Sequence, residues 1–186
     1  VLPVKGLSSE SLLDDIQVLM DAAYRPSHPG ALAHLDPPPL TSSVVADLVT
    51  AGLNNNLLAS ELSPGFTKLE RHLCEWFANR FGIPTGSGGV LASGGSLTNL
   101  MALVVARHKA GLQHDPNAMV FASADAHLSL DKAIRVMGLA NDSLHKVSTN
   151  EDGQISLKSL EKDLQMYRDR GRKCFAVVAT AGTTVR

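Results

Sequence analysis

Short apolar runs alternate with helical patterns from residue 90 onward, and this alternation restricts the fold more than any other feature of the chain. The predicted elements are, in order, strand 90–92, helix 97–110, strand 118–122, helix 128–137, strand 144–147, helix 157–169 and strand 174–180. A chain that alternates in this way forms right-handed crossovers and parallel strands. We therefore predict an α/β fold with a mostly parallel sheet and flanking helices, in which ligands bind at the carboxyl ends of the strands.

The first third of the chain has a different pattern. Residues 12–23 have the apolar spacing of a helix, and Ser11 with Asp14 resembles a capping box at its start. A second helix is predicted from residue 42 or 43 to about residue 53. Residues 25–41 lie between these helices and hold five of the nine prolines, so we expect them to be extended and not helical.

A helical pattern that begins after Ser63 separates these two regions. Proline follows Ser63 at the first helical position, an apolar stripe comes next, and Gly82 ends the helix. We predict that residues 1–62 form N-terminal helices with a proline-rich arm, and that residues 63–186 form the first part of a larger α/β domain. The two N-terminal helices and the arm make a poor core alone, so they are expected to pack on another surface, such as another subunit.

The composition of the chain excludes several classes of protein. Of the 186 residues, 44% are apolar and 19% are charged, with a net charge of −1, which does not favour a nucleic-acid or membrane partner. No run is long enough to span a membrane and no signal peptide is visible, so a cytoplasmic protein is expected. Cys74 and Cys174 are interpreted as buried free thiols. The seven histidines are scattered without metal-ligand spacing, so no metal site is predicted.

A glycine turn lies between the first predicted strand and the helix after it. Residues 93–99 read Ser-Gly-Gly-Ser-Leu-Thr-Asn. Such a turn directs free backbone N–H groups and the positive end of the helix dipole towards one point, where a phosphate is commonly bound. Gly94 and Gly95 allow close approach of an anion, and the hydroxyl of Ser96 can cap the helix or donate to the phosphate. An ordinary capped turn is the alternative interpretation.

Polar side chains follow two further predicted strands at their carboxyl ends. Residues 123–129 contain His127, and residues 181–184 contain Thr183 and Thr184. Because the carboxyl ends of parallel strands meet at one edge of the sheet, these groups are expected to line one crevice with the glycine turn. The predicted site would hold a phosphate, a flat ring against His127 and hydroxyl contacts from the threonines.

The three motifs together resemble the ordered signature of a known family. They are residues 93–100, Ser-Gly-Gly-Ser-Leu-Thr-Asn-Leu; residues 124–129, Ala-Asp-Ala-His-Leu-Ser; and residues 179–184, Ala-Thr-Ala-Gly-Thr-Thr. The family is that of the group II pyridoxal-phosphate-dependent amino acid decarboxylases, which includes glutamate, aromatic amino acid, cysteine sulfinate and 2,4-diaminobutyrate decarboxylases. Upstream segments, at 28–29, 34–39 and 63–70, are also similar to the family. The resemblance covers residues 25–186 and implies a fold-type I transferase-like domain.

The resemblance implies a role for each matching position. Gly95 and Ser96 would hold the phosphate of pyridoxal 5'-phosphate, His127 would stack on its ring and help to position the substrate carboxylate, and Thr184 would contact the ring. The implied reaction is the loss of the α-carboxylate of an L-amino acid as carbon dioxide, with the cofactor ring taking up the electrons left behind. The implied assembly is a homodimer.

The chain departs from the family pattern after residue 184. Family members are more than twice as long, and they carry the aspartate that pairs with the ring nitrogen and the Schiff-base lysine beyond the Gly-Thr-Thr motif. The pair His145-Lys146 superficially resembles the family's His-Lys pair but precedes that motif, so Lys146 is assigned no catalytic role. We expect the amino-terminal part of a decarboxylase, inactive alone, from a cleaved chain, a truncated product or a split enzyme.

Other functions fit parts of the same pattern. A different fold-type I enzyme, such as an aminotransferase, a desulfurase or a sphingosine-phosphate lyase, would share the sheet and the ring-stacking residue. A catalytically inactive binding or interaction module is the alternative outside the enzymes. A Rossmann-type nucleotide site is disfavoured, because no G-x-G-x-x-G follows the first predicted strand.

Overall fold

The computed structural model describes residues 5–32 and 36–183. The chain divides into two compact units, one up to Thr67 and one from Lys68 onward. The helices are α1 (Ser9–Ala22), α2 (Thr41–Leu53), α3 (Pro64–Arg80), α4 (Gly95–Lys109), α5 (Ser129–Val136) and α6 (Leu157–Asp169), with a 3-10 turn at Asn141–Ser143. The strands are β1 (Ala118–Ser123), β2 (Leu144–Val147) and β3 (Lys173–Val178).

The three strands form one parallel sheet in the order β2-β1-β3. Val120 of β1 is paired with Leu144 of β2 and with Ala176 of β3, and the register with β3 shifts between Met119 and Val120. The central strand is buried along its whole length. The observed α/β architecture confirms the predicted fold class.

The side chains of β1 alternate between two apolar clusters. Val120 and the two alanines on the same face pack with Leu103 of α4 and Ile134 of α5. Met119 and Phe121 face the other way and pack with Val147 and with partly buried residues of α6. Helices therefore cover both faces of β1, which is the condition under which a parallel strand consists of a continuous apolar run.

Most predicted elements of the second unit are confirmed. Strand 144–147 and helix 157–169 have the predicted bounds. The observed bounds of α4, β1, α5 and β3 differ from the predicted ones by one or two residues at their ends. The predicted strand at 90–92 is wrong, because this segment has no regular structure. Its Val90 and Leu91 are 62% and 57% exposed, and the Leu91 N–H donates to the carboxylate of Glu70 at 3.0 Å instead of to a strand.

The first unit consists of exposed helices and turns. The hydroxyl of Ser8 caps α1 by accepting from Ser11 N–H at 3.2 Å, so the predicted capping box at Ser11 is wrong: Ser11 already lies within the first turn. Helix α2 ends at Asn54, which has left-handed backbone angles. Neither helix has a buried residue. The proline-rich segment is not helical where it is described, apart from Thr41 at the start of α2. Residues 25–31 form hydrogen-bonded turns and not the predicted extended chain.

Both cysteines are free, as predicted, but neither is buried. Cys74 is partly exposed, and Cys174 is exposed near the start of β3. The prediction of a buried Cys174 is wrong because β3 is an edge strand of the described sheet, so one side of it lacks a covering strand. In the part of the chain that the structure describes, no helix is both long and apolar enough to cross a membrane.

We predict that Phe121→Ala destabilises the second unit by about 3–5 kcal/mol, because it empties a fully buried site between β1 and α6. The free energy of unfolding in urea measures this loss. The control is Val136→Ala on α5, where the side chain is 70% exposed and the expected change is within about 0.5 kcal/mol. An equal loss in both variants would contradict the assignment of Phe121 to the core.

An ion pair joins the start of β3 to the loop before β1. Lys173 Nζ lies 2.7 Å from Asp115 Oδ2. The hydrogen bond from Lys173 lowers the pKa of the Asp115 carboxyl below its usual value near 3.8, and the N–H of Asn117 adds to this effect. Since the folded pKa is lowered, the stabilisation is present above about pH 4 and is lost as the pH falls through the folded pKa.

We predict that Lys173→Met raises the pKa of Asp115 towards its usual value, because the ammonium donor is removed. An NMR titration of the Asp115 side chain measures the midpoint directly. The variant should have a lower free energy of unfolding than the wild type at neutral pH. This difference in free energy should become smaller as the pH falls below about 4. An unchanged midpoint would mean that Asn117 alone sets this pKa.

Candidate functional site

The glycine turn leads directly into α4. Gly94 is the N-cap residue and has extended backbone angles, and its carbonyl accepts from the N–H groups of Leu97 at 3.0 Å and Thr98 at 3.2 Å. Gly95 and Ser96 are therefore the first two helical residues, where N–H groups have no intrahelical acceptor. A Cβ added at Gly94 or Gly95 would meet nothing within 4 Å. The start of α4 is thus open to an approaching anion.

Helix α3 fixes the segment that comes before this turn. Glu70 accepts from the N–H of Leu91, as described above, and Gly89 lies against Cys74. A Cβ at Gly89 would lie 3.0 Å from the Cβ of Cys74 and 3.1 Å from its Sγ. These distances are shorter than most Cβ contacts in proteins, so a larger residue at 89 would force Cys74 or the backbone of this segment to move by a few tenths of an ångström.

We predict that Gly89→Ala destabilises the second unit by about 1–3 kcal/mol, because the added methyl group overlaps Cys74. Urea unfolding measures the change. Gly88→Ala is the matched control, since a Cβ there meets nothing within 4 Å and the substitution should be neutral or slightly stabilising. Equal effects of the two substitutions would show that residue 89 does not need to be glycine.

His127 follows β1 at the carboxyl end of the sheet and is held by Ser129. The backbone N–H of Ser129 donates to His127 Nδ1 at 3.1 Å, and the Ser129 hydroxyl lies 2.9 Å from the same nitrogen. Asn99 Nδ2 donates to that hydroxyl at 2.8 Å. Asn99 is one helical turn after Gly95, so this hydrogen-bonded chain links His127 to the helix that begins at the glycine turn.

Hydrogen bonds of the residues just before His127 fix the loop that follows β1. Ala124 N–H donates to the carbonyl of Val147 at 2.8 Å, and Asp125 N–H donates to the hydroxyl of Ser123 at 3.2 Å. The adjacent end of β3 leads to Thr183. A cavity of about 280 Å³ lies between these strand ends and the loop 152–155, and Thr183 is part of its lining. Thr184, which the resemblance assigns to the ring, lies outside the described residues.

The pair His145-Lys146 lies on β2, and both side chains form polar contacts with neighbouring helices. His145 Nε2 is 2.7 Å from Asp163 Oδ2 of α6, and the hydroxyl of Tyr167 is 3.2 Å from its Nδ1. Lys146 Nζ is 3.0 Å from Asp131 Oδ2 of α5. These contacts tie α6 and α5 to β2. That Lys146 has no catalytic role stays a prediction.

Sequence reasoning did not select Ser129 and Asn99 as site residues. Both lie inside the motifs that were singled out, but they are 30 residues apart along the chain and meet only in the folded structure. Their spacing in the sequence could have indicated them. Ser129 is two residues after His127, and Asn99 is four residues after Gly95 on the same helical face. Among residues 5–32 and 36–183, no three or more His, Cys, Asp or Glu side chains are grouped as metal ligands.

The described part of the chain is an α/β protein, and in open α/β sheets ligands bind at the carboxyl ends of the parallel strands. A sequence profile of the pyridoxal-dependent decarboxylase conserved domain matches residues 2–186. The chain therefore belongs to the pyridoxal-dependent decarboxylase family, whose cofactor is pyridoxal phosphate. The family predicted from the three motifs is confirmed.

Individual relatives agree with this assignment. The chain is 37% identical over 158 residues to an aromatic-L-amino-acid decarboxylase of Bacillus atrophaeus, covering 84% of this chain and 33% of that protein. It is 30% identical to an L-2,4-diaminobutyrate decarboxylase of Acinetobacter baumannii, covering 94% of this chain and 38% of the relative. The chain thus spans about a third of the length of the curated relatives that it matches.

Solved structures show the same fold. The crystal structure of mouse CSAD in apo form matches with a TM-score of 0.91 at 27% identity, covering 99% of this chain and 40% of that one. The glutamate decarboxylase domain of the diaminobutyrate-pyruvate transaminase and L-2,4-diaminobutyrate decarboxylase from Vibrio parahaemolyticus matches with a TM-score of 0.89 at 26% identity, covering 99% and 43%. This likeness confirms the predicted decarboxylase-like fold.

Proposed function

We propose that this chain supplies the amino-terminal part of the active site of a pyridoxal-phosphate-dependent amino acid decarboxylase, which removes the α-carboxylate of an L-amino acid as carbon dioxide. The observation that carries the proposal is the hydrogen-bonded link from His127 through Ser129 and Asn99 to the helix that starts at Gly95. It connects a helix terminus suited to a phosphate with an imidazole suited to a flat ring, and the family supplies the cofactor that has both groups.

The residues at the start of α4 fit the phosphate. Gly95 and Ser96 offer backbone N–H groups at the positive end of the helix dipole, and the space around Gly95 is open. The hydroxyl of Ser96 adds a donor that can form a charge-assisted hydrogen bond. The last turn of α4 contains Arg107, His108 and Lys109, whose positive charges complement the negative end of the helix dipole.

His127 is proposed to stack on the ring of the cofactor and to help hold the substrate carboxylate. The bound cofactor supplies the electron sink for the electrons left at Cα when carbon dioxide leaves. The imidazole keeps a flat surface against the ring, and its second nitrogen provides a hydrogen-bond donor for an anionic group. Thr184 is proposed, from the resemblance alone, as a further contact of the ring.

The remaining features of the enzyme are proposed from the family and from the exposed surfaces of this chain. Because the chain spans about a third of the length of its relatives, we propose that residues 1–186 are inactive alone and that the missing catalytic groups lie elsewhere in the complete enzyme. Residues 1–62 are proposed as helices and an arm, and residues 63–186 as the first part of the cofactor-binding domain. Exposed leucines such as Leu13 and Leu48 favour a homodimer in which α1 and α2 are covered. We also propose that the enzyme is cytoplasmic.

The decisive experiment for this proposal is a titration of the chain with pyridoxal phosphate, followed by absorption spectroscopy. Ser96→Ala is expected to weaken binding about tenfold, because a hydrogen bond to a charged group is lost. The affinity for pyridoxal, which has no phosphate, should be the same in both proteins. The fold should be unaffected, since Ser96 is exposed and alanine is a good helix former.

Two results would contradict this proposal. Wild-type protein that is folded but does not bind pyridoxal phosphate would show that residues 1–186 do not form a cofactor site. An equal loss of affinity for pyridoxal and its phosphate in Ser96→Ala would show that the hydroxyl does not contact the phosphate.

A further inference from the structure

Two residues between the glycine turn and His127 carry an inference that goes deeper into the same site and rests on the proposed function. We propose that Ser129 and Asn99 are positioning residues, which hold the neutral ring of His127 in the tautomer with hydrogen on Nε2 and tie the ring to the phosphate-binding helix. Neither residue is expected to touch the cofactor. They act through His127, by fixing which of its nitrogens donates and where the ring lies.

The tautomer follows from the donor at Nδ1. A backbone N–H can only donate, and the N–H of Ser129 is 3.1 Å from His127 Nδ1. This nitrogen must therefore present its lone pair and carry no hydrogen. In the neutral imidazole the hydrogen is then on Nε2. The nitrogen that remains free to act is a donor, which suits an anionic group such as a substrate carboxylate.

The direction of the remaining bonds is fixed by the same reasoning. The Ser129 hydroxyl lies 2.9 Å from Nδ1, which is an acceptor, so the hydroxyl donates to it. The oxygen of that hydroxyl then accepts from Asn99 Nδ2 at 2.8 Å. These two side-chain bonds run one way, from the Asn99 amide through the Ser129 hydroxyl to the imidazole. An amide at position 99 is required for this direction, because a carboxylate there could only accept.

The surroundings of Ser129 make this link stiff. Ser129 is 1% exposed, so water does not compete for its hydroxyl. Leu103 of α4 and Leu130 of α5, which lie next to the link, are 4% and 3% exposed and belong to the same apolar cluster. Helices α4 and α5 therefore cannot shift independently without opening the core. The position of the imidazole is thus coupled to the start of α4.

The test is 15N NMR of the imidazole nitrogens in the 186-residue chain, with the rings neutral and without cofactor. Exposed His72 on α3 serves as the reference within each spectrum. In wild type, His127 should have hydrogen on Nε2 only, with the Nδ1 resonance displaced from that of His72 by the two donated bonds. Ser129→Ala removes one donor, so the Nδ1 resonance should move towards that of His72.

Two further variants make the test specific. Asn99→Asp should move the Nδ1 resonance in the same direction, because the Ser129 hydroxyl then donates to the carboxylate instead of to His127. Thr98→Val is the matched control, since the Thr98 hydroxyl donates to the carbonyl of Gly95 and has no part in the link. It should leave the His127 resonances unchanged. Circular dichroism identifies any variant that fails to fold, and the other variant then decides.

Hydrogen on Nδ1 of His127 in wild type would overturn the inference, and so would an Nδ1 resonance unmoved in both Ser129→Ala and Asn99→Asp. This outcome is separate from the failure of the proposed function, because the ring measurement needs no cofactor. If the resonances behave as expected and pyridoxal phosphate does not bind, the positioning link stands and the proposed cofactor site fails. If the cofactor binds and the resonances do not respond, the proposed cofactor site stands and the positioning link fails.

Discussion

The burial of β1 on both faces is the constraint on which the rest of the second unit depends. Its side chains alternate between a cluster with α4 and α5 and a cluster with α6, and every residue of the strand is buried. A strand covered in this way has to be central, and its parallel neighbours then bring their carboxyl ends to one edge. His127 follows β1 and Thr183 follows the adjacent β3. The geometry of the candidate site is therefore a consequence of core packing.

The helix that meets the proposed phosphate is held by the same core. Leu103 packs α4 against β1, while the polar side of α4 carries Asn99 to the hydroxyl of Ser129. An apolar contact and a hydrogen bond on one helix thus fix both its distance from the sheet and its rotation about its axis. The N–H groups of the first turn point along the helix axis, and the rotation decides which side of that turn, including the Ser96 hydroxyl, faces the proposed phosphate.

How far the sequence predicts this structure differs between local and tertiary features. Strand 118–122 could be predicted because its residues form an unbroken apolar run, which is the pattern of a strand covered on both faces. The run at 90–92 misled the prediction, because three apolar residues do not reveal whether a neighbouring strand is present, and here Leu91 bonds to Glu70. The prediction of a buried Cys174 fails for a related reason: the apolar residues around it in the sequence do not show that β3 is an edge strand of the described sheet.

In the candidate site, too, local features could be predicted from the sequence and tertiary contacts could not. Glycines and a histidine at predicted strand ends could be identified from the sequence, and the resemblance gave them roles. The hydrogen bond between Asn99 and Ser129 could not be identified from the sequence, since it joins side chains of two helices whose relative placement depends on the core. His145-Lys146 shows the converse. Its residue types suit catalysis, yet its place on β2 commits His145 to Asp163 and Lys146 to Asp131. Position in the fold decides which polar side chains are left free for chemistry.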